Sequence, residues 1–255
     1  LPLVITDFLN LVRFVLRRKP DIIHLQYEVS MYSVMLPVLL PVFKLLGTKL
    51  VITMHTRYSG LLGRFVRFFS GFFDCIIVHT KFHKKFLIGQ GFQKNKLSVM
   101  PFGVRKLPIA AQKIGAKTAY MMGFIGPTKG HDVAIKAFRK VVSKFPDAKL
   151  VIAGKLAPIP ESLDYYKKIT SLVKELGLGA NVRFVGYVPD SDCQKYYGAS
   201  TVVLLPYSQI TQSAALHDAI SYNMPVILTD LPGFREVIRE RTNGFFIKYG
   251  DADGL

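Results

Sequence analysis

Short runs rich in Ile, Val and Leu recur along the chain, and longer stretches of helical period separate them. In the first half the runs predict strands at Asp21–Gln26, Lys49–Met54, Asp74–His79 and Lys96–Met100. In the second half they predict strands at Tyr120–Ile125, Leu150–Ala153, Val182–Val185, Thr201–Leu205, Pro225–Thr229 and Phe245–Ile247. Between the latter, helical spacing predicts helices at Asp132–Lys144, Glu161–Leu176, Ser191–Tyr197, Gln212–Tyr222 and Gly233–Arg239. Apolar strands alternating with helices belong to parallel sheets covered on both faces. The pattern lapses into Pro, Gly, Ala and Lys between Pro101 and Lys117, which predicts a linker. The expected architecture is therefore α/β, with two facing Rossmann-like domains at residues 1–110 and 111–255.

In such sheets ligands bind beyond the carboxyl ends of the strands. Polar residues collect there: His24, Gln26 and Glu28, then His55 and Thr56, then His79 and Thr80. His83, within Lys81-Phe82-His83-Lys84-Lys85, reads as solvated helix surface. In the second half two junctions stand out. At Gly123-Phe124-Ile125-Gly126-Pro127-Thr128-Lys129-Gly130 the chain leaves a strand, turns, and enters a helix. Glycine lets backbone approach a ligand closely, and Lys129 supplies a point charge for a phosphate. The bland alternative is an ordinary turn with a surface lysine. At Pro206–Ala215 small and hydroxyl residues sit where the next helix begins. Helix starts carry free N–H groups and partial positive charge, which suit an anion. Ser213 reads equally as a simple helix cap. Asp218 suits ribose hydroxyls or is a solvated carboxylate. Together the two junctions point to a nucleoside diphosphate.

Half of the 255 residues are hydrophobic, which argues against disorder. Cys75 and Cys193 lie in separate apolar segments without zinc spacing and read as reduced core residues, consistent with a cytoplasmic location. The longest apolar run, Met31–Phe43, is short of a spanning helix and carries Pro37 and Pro41. The first 110 residues hold 16 Lys and Arg against 4 Asp and Glu, while the remainder holds 18 against 13. A basic first half implies an anionic lipid, phosphorylated or nucleic-acid partner, or a solvated basic surface. No nucleic-acid-binding module appears, so nucleic acid is not expected. Leu61–Phe73 would place Leu61, Leu62, Phe65, Phe68, Phe69, Phe72 and Phe73 on one helix face with Arg64 and Arg67 opposite. That face either packs on the sheet or dips into a lipid interface. Asp190-Ser191-Asp192 fits a helix cap better than a metal site, and Asp251-Ala252-Asp253 is expected in a frayed end.

The ordered motifs resemble the GT4 family of retaining glycosyltransferases, whose fold is GT-B. Asp21-Ile22-Ile23-His24, Thr53-Met54-His55 and Pro101-Phe102-Gly103-Val104 are similar to its first-domain motifs. Gly123…Lys129-Gly130, Leu150–Gly154, Asn181–Pro189 and Ala219…Pro225-Val226 are similar to those of its second domain, with Gly233, Glu236 and Asn243-Gly244 completing the series. The resemblance implies transfer from a nucleoside-diphosphate sugar to an acceptor hydroxyl with retention and no required metal or other cofactor. It implies donor-binding roles for Gly126, Thr128, Lys129, Tyr187, Val188, Gln212, Ser213, Ala214 and Asp218. Lys129 and His55 would be catalytic, with Gln26 and Glu28 on the acceptor side. A sugar, lipid-linked or phosphorylated acceptor would meet the basic half, at a cytoplasmic, peripheral position on an anionic membrane face. Three positions depart from the family pattern: Ile210 and Asp218 stand where two Glu are common, and Phe124 replaces an Arg. These favour, as the alternative, a non-catalytic nucleotide-sugar-binding protein. The pattern further implies truncation, with a first strand and a C-terminal helix lacking.

Overall fold

The computed structural model describes residues 2–27, 32–58, 60–104, 107 and 117–255. The chain divides into two compact units, Leu1–Pro101 and Phe102–Leu255. The boundary expected at residue 110 falls outside the described residues.

In the first unit α1 (Pro2–Arg18) leads to β1 (Ile22–Tyr27), followed by α2 (Tyr32–Leu45), β2 (Lys49–Met54), α3 (Gly60–Phe69), β3 (Cys75–Val78), α4 (Lys81–Gly89) and β4 (Leu97–Val99). All strands are parallel, and each pairs with the next in the order β1-β2-β3-β4. Leu50, Ile52, Met54, Ile76 and Val78 fill the core with Leu40 and Phe43 of α2. The Asp74 carboxylate ties the start of β3 to its neighbour, accepting the Leu50 N–H and the Lys44 ammonium at 2.8 and 2.9 Å. Those two bonds hold Asp74 below the usual carboxylate range. β1, an edge strand, departs from the expected double coverage: Ile22, His24 and Gln26, which alternate onto one face of it, are exposed.

Two further expectations change here. His83 is not solvated surface but fully buried in the first turn of α4. The Thr80 hydroxyl accepts its backbone N–H at 3.0 Å, and burial, then the charge of Arg57, depresses the imidazole to about 4. In α3 the buried positions are Gly63 and Val66, because a tight approach to the Tyr58 carbonyl leaves no room for a side chain at Gly63. Leu61 and Phe68 are 84% and 74% exposed, with Leu62 and Phe65 beside them. The expected apolar face thus divides: Leu61, Leu62, Phe65 and Phe68 are exposed, while Phe69 and Phe72 pack against the core and Phe73 is buried in it. No described helix is long and apolar enough to cross a membrane.

The second unit runs β5 (Thr118–Met122), α5 (His131–Lys144), β6 (Lys149–Ala153), α6 (Ser162–Glu175), β7 (Val182–Gly186), α7 (Asp190–Gly198), β8 (Val202–Leu205), α8 (Ala214–Ser221), β9 (Val226–Thr229), α9 (Pro232–Arg235) and β10 (Gly244–Ile247). Its parallel sheet is ordered β10-β9-β8-β5-β6-β7. Alternation along the strands feeds two cores: Tyr120, Val203, Leu205, Val226 and Leu228 on one face, and Ala119, Met121, Leu150, Ile152 and Leu204 on the other. Here both faces are covered, as the apolar runs predict.

Several boundaries move. β5 stops at Met122 because Gly123 leaves the extended region at φ +128. α9 is one turn long and ends at Arg235 rather than Arg239. Pro189, rather than an aspartate, precedes α7, and its side chain makes no cap bond. Asp251 and Asp253 are held rather than frayed: Asp251 accepts the Gly254 N–H at 2.7 Å, and Lys140 reaches Asp253 at 2.6 Å. Both cysteines are free, but Cys75 is only half-buried.

Candidate functional site

The order of the second sheet decides where a ligand fits. From β5 the chain steps outward to β6 and β7, then returns to β8 beside β5 and continues outward through β9 and β10. The connections leaving the neighbouring strands β5 and β8 therefore lead to opposite sides of the sheet, and this is the point at the carboxyl edge where open α/β sheets bind ligands in a crevice. Their first loops are the two junctions that stand out in the sequence.

After β5, Pro127–Lys129 form a single 3-10 turn, and Gly130 adopts a left-handed conformation at φ +66. A Cβ at Gly130 would overlap the carbonyl of Pro206 in the loop after β8. The Thr128 carbonyl accepts the Ser208 N–H at 3.0 Å, so the two loops are bonded backbone to backbone. After β6, Gly154 likewise lies against the Gly123 carbonyl, with its N–H on Gly186 at 2.7 Å. Glycine at these close approaches is a packing requirement.

After β8, Ser213 caps α8, its hydroxyl accepting the Leu216 N–H at 3.1 Å. The cap reading of Ser213 is thus correct, and it fixes the helix so that its first turn opens onto the crevice. The predicted helix start at Gln212 moves to Ala214 for that reason.

One cavity of about 440 Å³ occupies the crevice. It brings together Lys129, Tyr187, Val188, Gln212, Ser213, Ala214 and Asp218, all expected from the sequence, within the second unit. Gly126 and Thr128 shape the turn but do not line the cavity; a Cβ at Gly126 would crowd Ala157. Phe124, which stands at the position of the family's Arg, lines it too, as do Lys155 and Tyr207, to which the sequence gives no site role. Each directly follows or nearly follows a strand end, a positional signal that residue type alone did not carry.

The lining is largely apolar with cations at two points. Burial lowers the Lys129 ammonium from its ordinary range to about 8. Its Nζ lies 4.0 Å from the centroid of the Tyr207 ring, and Lys155 Nζ lies 4.6 Å from that of Tyr187. Ile210 is buried in the core, so that position offers no carboxylate to the cavity.

In the first unit, the strand tips hold a side-chain network. His55 Nε2 is 2.9 Å from Gln26 Oε1, and the Gln26 amide nitrogen is 3.3 Å from His24 Nε2, which also meets the Thr53 hydroxyl at 2.8 Å. His79 Nδ1 donates to the Met100 carbonyl at 2.9 Å, and its ring lies 5.1 Å from that of His55. Glu28, expected beside Gln26, lies outside the described residues. Among the described residues no cluster of three or more His, Cys, Asp or Glu side chains is arranged to hold a metal.

Residues 108–255 match the family described as Glycosyl transferases group 1, and residues 1–105 match Glycosyltransferase Family 4. The chain belongs to the group 1 glycosyltransferases. An uncharacterised glycosyltransferase of Methanocaldococcus jannaschii is 26% identical over 92% of the chain and 62% of its own length. The D-inositol 3-phosphate glycosyltransferase of Corynebacterium urealyticum is 26% identical over 58% of the chain and 35% of its own length. This glycosyltransferase chain therefore spans less than two thirds of the curated relatives it matches. Among solved structures, HepE from Anabaena in complex with UDP and glucose aligns with a TM-score of 0.80 at 17% identity, covering 98% of the chain and 68% of that protein. The fold is GT-B, with two parallel Rossmann-like sheets.

Proposed function

We propose that this glycosyltransferase transfers a sugar from a nucleoside-diphosphate sugar to an acceptor hydroxyl with retention. The observation that carries the reading is the switch-point cavity, where Lys129 and the first turn of α8 line the same space. As the glycosidic bond to the donor breaks, negative charge grows on the departing diphosphate. A partly buried ammonium and helix N–H groups stabilise that charge more strongly than water-exposed groups would. Asp218 takes the ribose hydroxyls, and the backbone at Tyr187 and Val188 takes the base. His55 is assigned to the transferred sugar by the family motif, and no metal is required in this scheme. HepE bound to UDP and glucose supports the donor class.

The acceptor side is the basic first unit, with Gln26 and Glu28 at its strand tips. A phosphorylated or lipid-linked acceptor suits that charge, and the inositol-phosphate relative is in keeping with it. The exposed Leu61, Leu62, Phe65 and Phe68, beside exposed Arg64 and Arg67, suit the headgroup layer of an anionic bilayer on its cytoplasmic face. Pelleting with anionic vesicles should be lost in Leu61→Asp with Phe68→Asp; pelleting equal to that of the parent refutes the membrane role.

A non-catalytic binding protein is the second reading, favoured by the buried Ile210 in place of a carboxylate. A panel of UDP-, GDP- and ADP-sugars separates the two. Sustained release of one nucleoside diphosphate with acceptor present supports transfer, and tight binding without turnover supports the alternative.

A further inference from the structure

Lys129 is held in place by contacts that no family motif explains. The turn Thr128-Lys129-Gly130 and the loop Pro206-Tyr207-Ser208 meet residue against residue: the Thr128 carbonyl accepts the Ser208 N–H, Gly130 packs on the Pro206 carbonyl, and the Lys129 ammonium lies over the Tyr207 ring. Tyr207 itself is anchored. Its side chain is 2% exposed, its ring packs 5.7 Å from that of Phe234, and its N–H donates to the Leu205 carbonyl at 2.9 Å. A lysine side chain has several rotatable bonds, and its ammonium would ordinarily seek water. A fixed aromatic face beneath Nζ offers an electrostatic seat that, unlike a carboxylate, leaves the positive charge unneutralised.

We infer that Tyr207 is a positioning residue for donor binding: its ring holds the Lys129 ammonium by a cation–π contact at the point where the diphosphate arrives. This inference rests on the proposed donor site and extends it. An ion pair at the same place would have to be broken or shared when a phosphate binds. The ring need not be displaced, because a cation over an aromatic face still has N–H groups to donate to an incoming oxygen. The role inferred belongs to the ring; the hydroxyl interacts with Ser213.

The test measures affinity of the 255-residue chain for UDP, GDP and ADP by calorimetry, with a double-mutant cycle on whichever binds. Tyr207→Phe keeps the ring and should bind within about twofold of the parent, while Tyr207→Leu should bind roughly tenfold more weakly. In the Lys129→Ala background, Tyr207→Leu should cost less than about twofold further, since its effect acts through the lysine. A ring that merely supports the fold would give losses that add. Should Tyr207→Leu fail to fold, the ring is replaced by phenylalanines of increasing fluorination, which keep volume and drain the π face. Affinity falling with each step supports the inference, and a flat series overturns it. If a diphosphate binds and Lys129→Ala weakens it while every Tyr207 variant binds like the parent, only this inference fails. If none of the three diphosphates binds at all, the donor site and the inference fall together.

Discussion

The two sheets are assembled from the same parts, parallel strands joined by helices, yet they offer a ligand different things. The first unit orders its strands consecutively, so each loop follows its predecessor in one direction across the sheet. The second unit reverses at β5 and β8, so the connections from these two neighbouring strands lead off in opposite directions. In the first unit polar side chains at the tips bond one another, as Gln26 does with His24 and His55. In the second, glycines let the loop backbones pack closely, and beside them lies a cavity lined by a cation. The difference teaches that strand order, more than residue type, decides which strand tips border a cavity.

The sharpest way to break this contrast is through the glycines. Gly154 adopts φ +146, and a Cβ there would strike the Gly123 carbonyl, so Gly154→Ala should cost on the order of 3–5 kcal/mol. Gly60, at φ +62 in the first unit, has open space around its Cβ position, and Gly60→Ala should cost about 1 kcal/mol. Denaturant unfolding of both variants reads the pair; equal losses would remove the argument that the second unit's tips are packed backbone to backbone.

Next in size is the loss of the cation. Lys129→Ala should weaken diphosphate binding by about 10–100-fold, the range for a charge-assisted bond to a phosphate. His55→Ala should leave that affinity within about twofold, because the proposed diphosphate contacts all come from the second unit. Calorimetry on both variants tests the assignment, and comparable losses would mean that diphosphate recognition is not confined to the switch point.

A smaller effect follows from pH. Lys129 has its folded pKa lowered to about 8 from an unfolded value of 10.5, so between those values the unfolded chain carries more protons than the folded one. Stability of the free protein from this group therefore rises as pH increases through that window, while diphosphate affinity falls as the ammonium is lost. Lys129→Arg should bind with a flat profile over the same range, since a guanidinium stays charged. His83 acts in the other unit and at lower pH: its folded value of about 4 lies below 6.5, so the unfolded chain gains the proton first. The first unit should lose stability as pH falls from 6.5 toward 4, and His83→Leu should flatten that loss in pH-dependent denaturation curves.

Much of the second unit was legible in the chain. Its apolar runs are buried on both faces, so the runs mark its strands, and the glycine-rich and hydroxyl-rich junctions fall at the two strand tips where the topology reverses. The first unit reads less well from pattern alone. At β1 the residues are apolar enough for a central strand, but Ile22, His24 and Gln26 share one face of the strand and that face is exposed. In α3 an even spread of Leu and Phe masks which face is inward, and a single close backbone contact at Gly63 settles it. His83 sits among lysines that suggest solvent, while helix geometry turns its ring toward the core. Tyr207 carries no signal of its role in the junction Pro206–Ala215, because a tyrosine after a strand is ordinarily core and the cation over its ring comes from a turn far away in sequence.

The central claim, that a pyrophosphate sits between Lys129 and the first turn of α8, is tested most directly by amide NMR of the chain titrated with UDP, GDP and ADP. The account predicts that one of the three shifts the backbone amides of Gly123, Lys129, Ala214 and Ala215 together, at a common midpoint, and that Lys129→Ala abolishes the set. Saturable shifts that leave those four amides in place and gather on other residues would contradict it.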